Sequence, residues 1–154
     1  MNKKVLIICQ SIHHGNTMKV ARVMAKELNA EIKKPNEIEV SDIDKYDLIG
    51  FGSGIYNGKH HISLFNLIKK IKLQKNKKTF IFSTATTDRF RNKMHESLKQ
   101  ELVNKGFNIV DEFICKGFID FSFIKYFFGG LNKKRPNEID LKEAKEFALR
   151  LKKI

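Results

Sequence analysis

Short apolar runs alternate along this chain with stretches in which apolar residues recur at helical spacing. Residues 5–9 (VLIIC) are continuously apolar, as in a parallel strand buried on both faces. Residues 17–28 place Val20, Met24 and Leu28 on one face, with Ala21 and Ala25 beside them, which predicts a helix. Residues 30–33 are a candidate edge strand, and residues 47–53 a second strong one. Over 61–71, Leu64 aligns with Ile68 and Leu67 with Ile71 at steps of four. Residues 78–83 form a third strong strand. Met94, Leu98 and Leu102 mark a helix over 89–104 that Gly106 stops. Residues 107–114 read as one uninterrupted strand. Asn137, with Asp140 in the box position, caps a last helix lined by Leu141, Ala144, Ala148 and Leu151.

Strands alternating with helices imply a parallel sheet covered on both faces. The fold class is therefore α/β, a three-layer, doubly wound five-stranded sheet in a single domain over residues 1–154. Periodicity by itself leaves the layer count and the strand order open.

The chemistry gathers where strands end. Gln10-Ser11-Ile12-His13-His14-Gly15-Asn16-Thr17 joins the first strand to the first helix. Small polar side chains and the amides of a helix start suit a phosphate without a lysine. The loop lacks Gly-x-Gly-x-x-Gly and the P-loop signature, which disfavours a classical dinucleotide fold and a P-loop ATPase. A helix cap with no ligand is the plain alternative.

Ser11 through Thr17 resembles the FMN phosphate loop of flavodoxins. Gly52-Ser53-Gly54-Ile55-Tyr56-Asn57-Gly58 is similar to the family's loop over one face of the flavin, and Ser83-Thr84-Ala85-Thr86-Thr87-Asp88 falls where its next flavin loop lies. The tail from Gly129 through Glu138 also resembles small flavodoxin-domain proteins, so the likeness spans nearly the whole chain and is of the short-chain type. It implies strand order 2-1-3-4-5. The site it implies takes in Ser11, Ile12, His13, His14, Gly15, Asn16 and Thr17 from the first loop. Ser53, Gly54, Ile55, Tyr56, Asn57 and Gly58 come from the second, and Thr84, Ala85, Thr86 and Thr87 from the third. Ser11, Asn16 and Thr17 would hold the phosphate, with Gly15 permitting its approach. Tyr56 would stack on the ring, and the peptide before Gly58 would turn over on one-electron reduction. Thr84, Thr86 and Thr87 would surround the ribityl chain and the pyrimidine edge. Thr17 as a mere cap, Tyr56 as a boundary residue and Asn57-Gly58 as a plain turn are the alternatives. His14 stands where the family has a hydroxyl, and an imidazole there can replace a lost phosphate contact. Asp88 reads as the cap of the next helix.

Charge changes the picture. Lys and Arg number 30 against 17 Asp and Glu, a net +13, whereas typical flavodoxins are acidic. The lysines are scattered, no nucleic-acid motif is present, and partners with acidic surfaces would fit such a chain. No stretch approaches the ~20 apolar residues of a membrane span, so only peripheral contact with a membrane is open. The first apolar run is too short for a signal peptide, and two cysteines make no disulfide framework; a cytoplasmic monomer is expected. In the implied strand order Cys9 and Cys115 sit about 14 Å apart, beyond disulfide reach.

His13-His14 and His60-His61 lack a completing Cys or carboxylate, so no metal is assigned; His60 and His61 are expected at the flavin rim or in solvent. His95-Glu96 reads as a surface pair. Residues 118–128 are rich in aromatics and would serve as a core lid or as an exposed interaction patch. No catalytic side-chain set is evident, so the chemistry would be the cofactor's. The expected function is an FMN-binding electron carrier cycling through a semiquinone between redox partner proteins. The alternatives are an FMN-dependent oxidoreductase acting on a quinone-like or porphyrinogen-like molecule, and a binding module without cofactor.

Overall fold

The computed structural model describes residues 3–118 and 129–154. The elements are β1 (Val5–Gln10), α1 (Asn16–Leu28), β2 (Glu31–Lys33), β3 (Leu48–Tyr56), β4 (Lys59–His60), α2 (Ile62–Lys70), β5 (Lys77–Ala85), α3 (Arg91–Asn104), β6 (Phe107–Lys116) and α4 (Glu138–Lys152). The sheet runs β2-β1-β3-β5-β6, with β4 paired antiparallel to β3. Setting aside the two-residue β4, this is the expected 2-1-3-4-5, with every other pairing parallel.

Alternation along the strands sorts the core into two layers. Val5, Ile7, Cys9, Phe80, Phe82 and Phe113 meet α1 and α4 through Val20, Met24, Ala144 and Phe147. Leu6, Ile8, Ile49, Phe51 and Ile81 meet α2 and α3 through Leu64, Ile68, Leu98 and Leu102. Burying each large apolar side chain stabilises the fold by roughly 1.5–3 kcal/mol, which explains why strands this apolar sit between helices. Cys9 and Cys115 are buried, free thiols of the first layer. The cap of the last helix is as expected: Asn137 accepts from the Asp140 amide at 3.1 Å, and Asp140 accepts from the Asn137 amide at 2.8 Å.

The structure differs from the sequence pattern at several places. A 3-10 turn over Val40–Lys45 buries Ile43 under the α2/α3 layer. β3, β5 and β6 run past their apolar cores to Tyr56, Ala85 and Lys116. A bulge also breaks β6: Thr79 pairs with Ile109 but Phe80 with Asp111, so Val110 is skipped. One extra residue reverses the alternation. Phe107 packs in the α2/α3 layer, whereas Phe113 and Cys115 pack in the α1/α4 layer. The same step turns Glu112 towards α3.

Candidate functional site

The carboxyl ends of β1, β3, β5 and β6 open onto a cleft of about 390 Å3. Ligands of open α/β sheets bind at this edge. His13, Asn16 and Thr17 line it from the first loop, Gly54, Ile55, Tyr56, Asn57 and Gly58 from the second, and Thr84, Ala85, Thr86 and Thr87 from the third. Met94, Gly117 and Phe118 complete the wall. Sequence reasoning missed Met94, which fits a helix face, and Gly117, which carries no side chain to signal a role; Phe118 opens the aromatic segment already singled out as a lid or interaction patch. Ser11, Ile12, His14, Gly15 and Ser53 stand outside the lining.

In the first loop His14 and Gly15 both have positive φ, 53° and 64°. Gly15 is the N-cap of α1, with no side-chain cap. Thr17 is therefore not the cap; its Oγ1 lies 2.8 Å from Thr84 Oγ1 and joins α1 to the end of β5. Asn16 Nδ2 donates to the Phe118 carbonyl at 2.7 Å. Gly117 permits that bond, because a Cβ there would come within 2.9 Å of Asn16 Nδ2. Ser11 Oγ and Asn16 Oδ1 remain buried without a partner among the described residues. The His14 ring lies against Phe118, centroids 4.2 Å apart.

The second segment is a strand and turn rather than an open loop. β3 continues through Tyr56, and Asn57 (φ 51°) and Gly58 (φ 76°) form the two-residue link to β4. Positive φ at both positions is the type I′ turn that Asn-Gly favours. The Tyr56 ring lies between His13 and His61, with centroids at 5.9 and 5.6 Å. It folds back over Gly54, where a Cβ would sit 2.8 Å from the phenol oxygen. Burial raises the Tyr56 hydroxyl's pKa, partly offset by a hydrogen bond with the Ile12 backbone.

Ser53 points away from the cleft, into the α2/α3 layer, where its Oγ meets His60 Nδ1 at 3.0 Å. His60 is thus buried, contrary to its expected place at the rim. His61 is partly buried; it caps α2, its Nδ1 accepting from the Ser63 amide at 3.2 Å. His95 is buried too, not half of a surface pair: Nε2 lies 2.7 Å from Ser83 Oγ and Nδ1 2.9 Å from Glu112 Oε2. Nor does Asp88 cap α3, whose N-cap is Phe90. The Thr87 hydroxyl accepts from the Arg89 amide at 3.2 Å, and Asn132 Nδ2 donates to the carbonyls of Thr86 and Gly117 at 3.0 and 3.3 Å. Asn132 therefore ties the third loop to the end of β6, a role invisible in sequence because it joins distant segments. Of residues 118–128, only Phe118 lies within the described residues.

Among the described residues, the loops and strand ends that carry the cleft, with the loop before α4, hold Lys59, Arg89, Lys116, Lys133, Lys134 and Arg135, the last paired with Asp140 of α4, against Asp88 as the one carboxylate. No helix among them is long and apolar enough to cross a membrane.

An uncharacterized protein of Methanocaldococcus jannaschii is 52% identical over 145 residues, covering 94% of this chain and 95% of its own. Flavodoxin 2 from Bacillus cereus superposes with TM-score 0.71 at 19% identity, covering 95% of both chains. Rubredoxin oxygen:oxidoreductase from Desulfovibrio gigas superposes with TM-score 0.73 at 18% identity, over 97% of this chain and 35% of that one. Residues 6–127 match the family described as Flavodoxin domain. With that match and the observed strand order, the chain belongs to the flavodoxin family.

Proposed function

We propose that the cleft holds one FMN and that the protein carries electrons between partner proteins, the flavin cycling through a semiquinone. The observation that carries the reading is the pair of orphaned polar atoms, Ser11 Oγ and Asn16 Oδ1, buried beside an α-helix start that has no side-chain cap. A buried polar group without a partner is costly, and a phosphorylated, hydroxyl-rich ligand relieves both. Ser11 Oγ can donate to a phosphate. Asn16 Oδ1 is an amide oxygen and only accepts, so it suits a ribityl hydroxyl, while the bond from Nδ2 to the Phe118 carbonyl fixes which way the amide faces. Thr84, Thr86 and Thr87 offer hydroxyls farther along the cleft, and Tyr56 can cover a flavin ring. The bound flavin supplies the redox chemistry; the protein's residues orient it and exclude water.

A carrier is favoured over a small-molecule enzyme by the rim. Ile12, Ile62 and Phe90 stand 49%, 60% and 55% exposed, each one to three residues along the chain from a residue of the cleft or one packed on Tyr56, the last two on segments that also carry Lys59 and Arg89. Exposed apolar side chains and cations on the same segments suit docking of an acidic protein surface. The test is stepwise anaerobic reduction of the FMN-loaded protein followed by absorbance. A blue neutral semiquinone at intermediate reduction supports the carrier. Direct passage from oxidised to fully reduced flavin contradicts it and favours a two-electron oxidoreductase.

A further inference from the structure

Behind the cleft wall lies a polar network for which the proposed cofactor has no direct use. Ser53 and Ser83 are register partners on β3 and β5, both fully buried, and each immediately precedes a cleft residue, Gly54 or Thr84. Ser53 Oγ donates to the Gly54 carbonyl at 2.7 Å and accepts from the His61 amide at 2.9 Å. Its one hydrogen is thereby used, so His60 Nδ1 is the donor in their 3.0 Å contact. His60 Nε2 is then a bare acceptor, buried and without a partner among the described residues. The His95 ring lies 5.0 Å from that of His60. His95 Nδ1 donates to Glu112, itself held by Lys99 at 2.7 Å, and His95 Nε2 accepts from Ser83. One hydrogen on each imidazole satisfies every hydrogen bond of the network.

β4 is only two residues long, and Asn57, Gly58 and Lys59 are exposed. Its buried attachment is His60. We propose that His60 and His95 are positioning residues that seat the Asn57-Gly58 turn on the cleft, and that they do so only while both rings are neutral, one added proton releasing the turn from β3.

The reason is geometric. A proton at His60 Nε2 makes a buried cation with no acceptor, facing a second imidazole. A proton at His95 Nε2 meets the Ser83 hydroxyl, which must turn away, although Glu112 compensates on the far side. The groups facing the pair are Ser53 and Ser83 from the sheet, Glu112 from β6, and Arg91 and Lys99 from α3. Burial lowers the pKa of His60, and His95 adds to it; burial lowers His95 despite Glu112, with Arg91 and Lys99 acting in the same sense. The least costly escape for the charge is outward movement of His60, which carries the turn with it.

The meaning of this device for flavin rests on the FMN reading, but the device does not. In the cofactor-free full chain, the amides of Asn57, Gly58, Lys59 and His61 and the ring signals of His60 and His95 are followed by NMR from pH 8 to 4.5. The expected result is one shared transition of the turn amides and the His60 ring, with a midpoint below 6.5, lost from the amides in His60→Gln. Transition of the ring with static turn amides overturns the proposal. Unchanged amide titration in His60→Gln or in His95→Gln also overturns it. A second arm measures FMN affinity over the same range. Wild type should weaken by up to ~10-fold per pH unit below the midpoint, more steeply than His60→Gln. Failure to bind FMN at any pH removes the cofactor reading and leaves the amide result standing.

Discussion

The hydroxyls of Thr17 and Thr84 meet at 2.8 Å, buried, across the junction of α1 and β5. This one contact fixes the first and third cleft segments relative to each other. Thr17→Val or Thr84→Val leaves the other hydroxyl buried and unpaired and should cost about 1–2 kcal/mol. The double variant should cost less than the sum, because both partners are then apolar. Urea unfolding of the four proteins checks this; strict additivity would mean that the contact contributes nothing.

His60 and His95 both have pKa values lowered by folding, chiefly through burial, while the unfolded chain takes up protons near the ordinary value of 6.5. Below that value the unfolded state binds more protons than the native one. Their contribution to stability is therefore full above 6.5 and is lost as pH falls. With two such rings the unfolding free energy should drop by up to about 2.7 kcal/mol per pH unit between 6.5 and 5. Denaturant midpoints measured from pH 8 to 5 should show a plateau and then this fall, shallower in His60→Gln. A flat profile would place both rings in water.

This network also shows what the sequence concealed. The apolar period located α1, α2, α3, α4 and the strong strands, and the three polar segments at the ends of β1, β3 and β5 line one cleft. Ser53, His60, Ser83, His95 and Glu112 count as polar in any pattern, so their burial is invisible until partners are known. Glu112 reaches His95 only because the bulge at Val110 reverses the strand's alternation. A bulge adds one residue, and the adjacent pairs Ile109-Val110 and Asp111-Glu112 do not by themselves say where the strand's alternation reverses. Likewise Gly52 to Tyr56 reads as a loop because glycine and serine mark turns, yet the ladder to β5 continues through Gly54.

Burial raises the Cys9 thiol to about 12 and the Cys115 thiol further. A thiol reacts as its thiolate. Neither cysteine should react with a disulfide reagent at pH 8 in the native protein, and both should react in guanidinium. Rapid reaction of a native thiol would contradict the packing of β1 and β6.

Gly58 has φ 76° with open space around its Cα, so Gly58→Ala is limited by backbone conformation alone. The cost should be about 1–2 kcal/mol in unfolding experiments, and less for Gly58→Asn. Turning the central peptide over converts the turn to type II′, which favours glycine at its first position, here Asn57. Asn57→Gly should therefore increase the semiquinone fraction in a reductive titration. A decrease would contradict the role given to this turn.

The central claim is that the cleft takes FMN through its first loop. Parallel fluorescence-quenching titrations of the cofactor-free protein with FMN and with riboflavin test it most directly. The account predicts ~1:1 binding of FMN and affinity for riboflavin weaker by at least ~10-fold, with Ser11→Ala narrowing that difference. Equal affinities for the two flavins, or no binding of either, would contradict it.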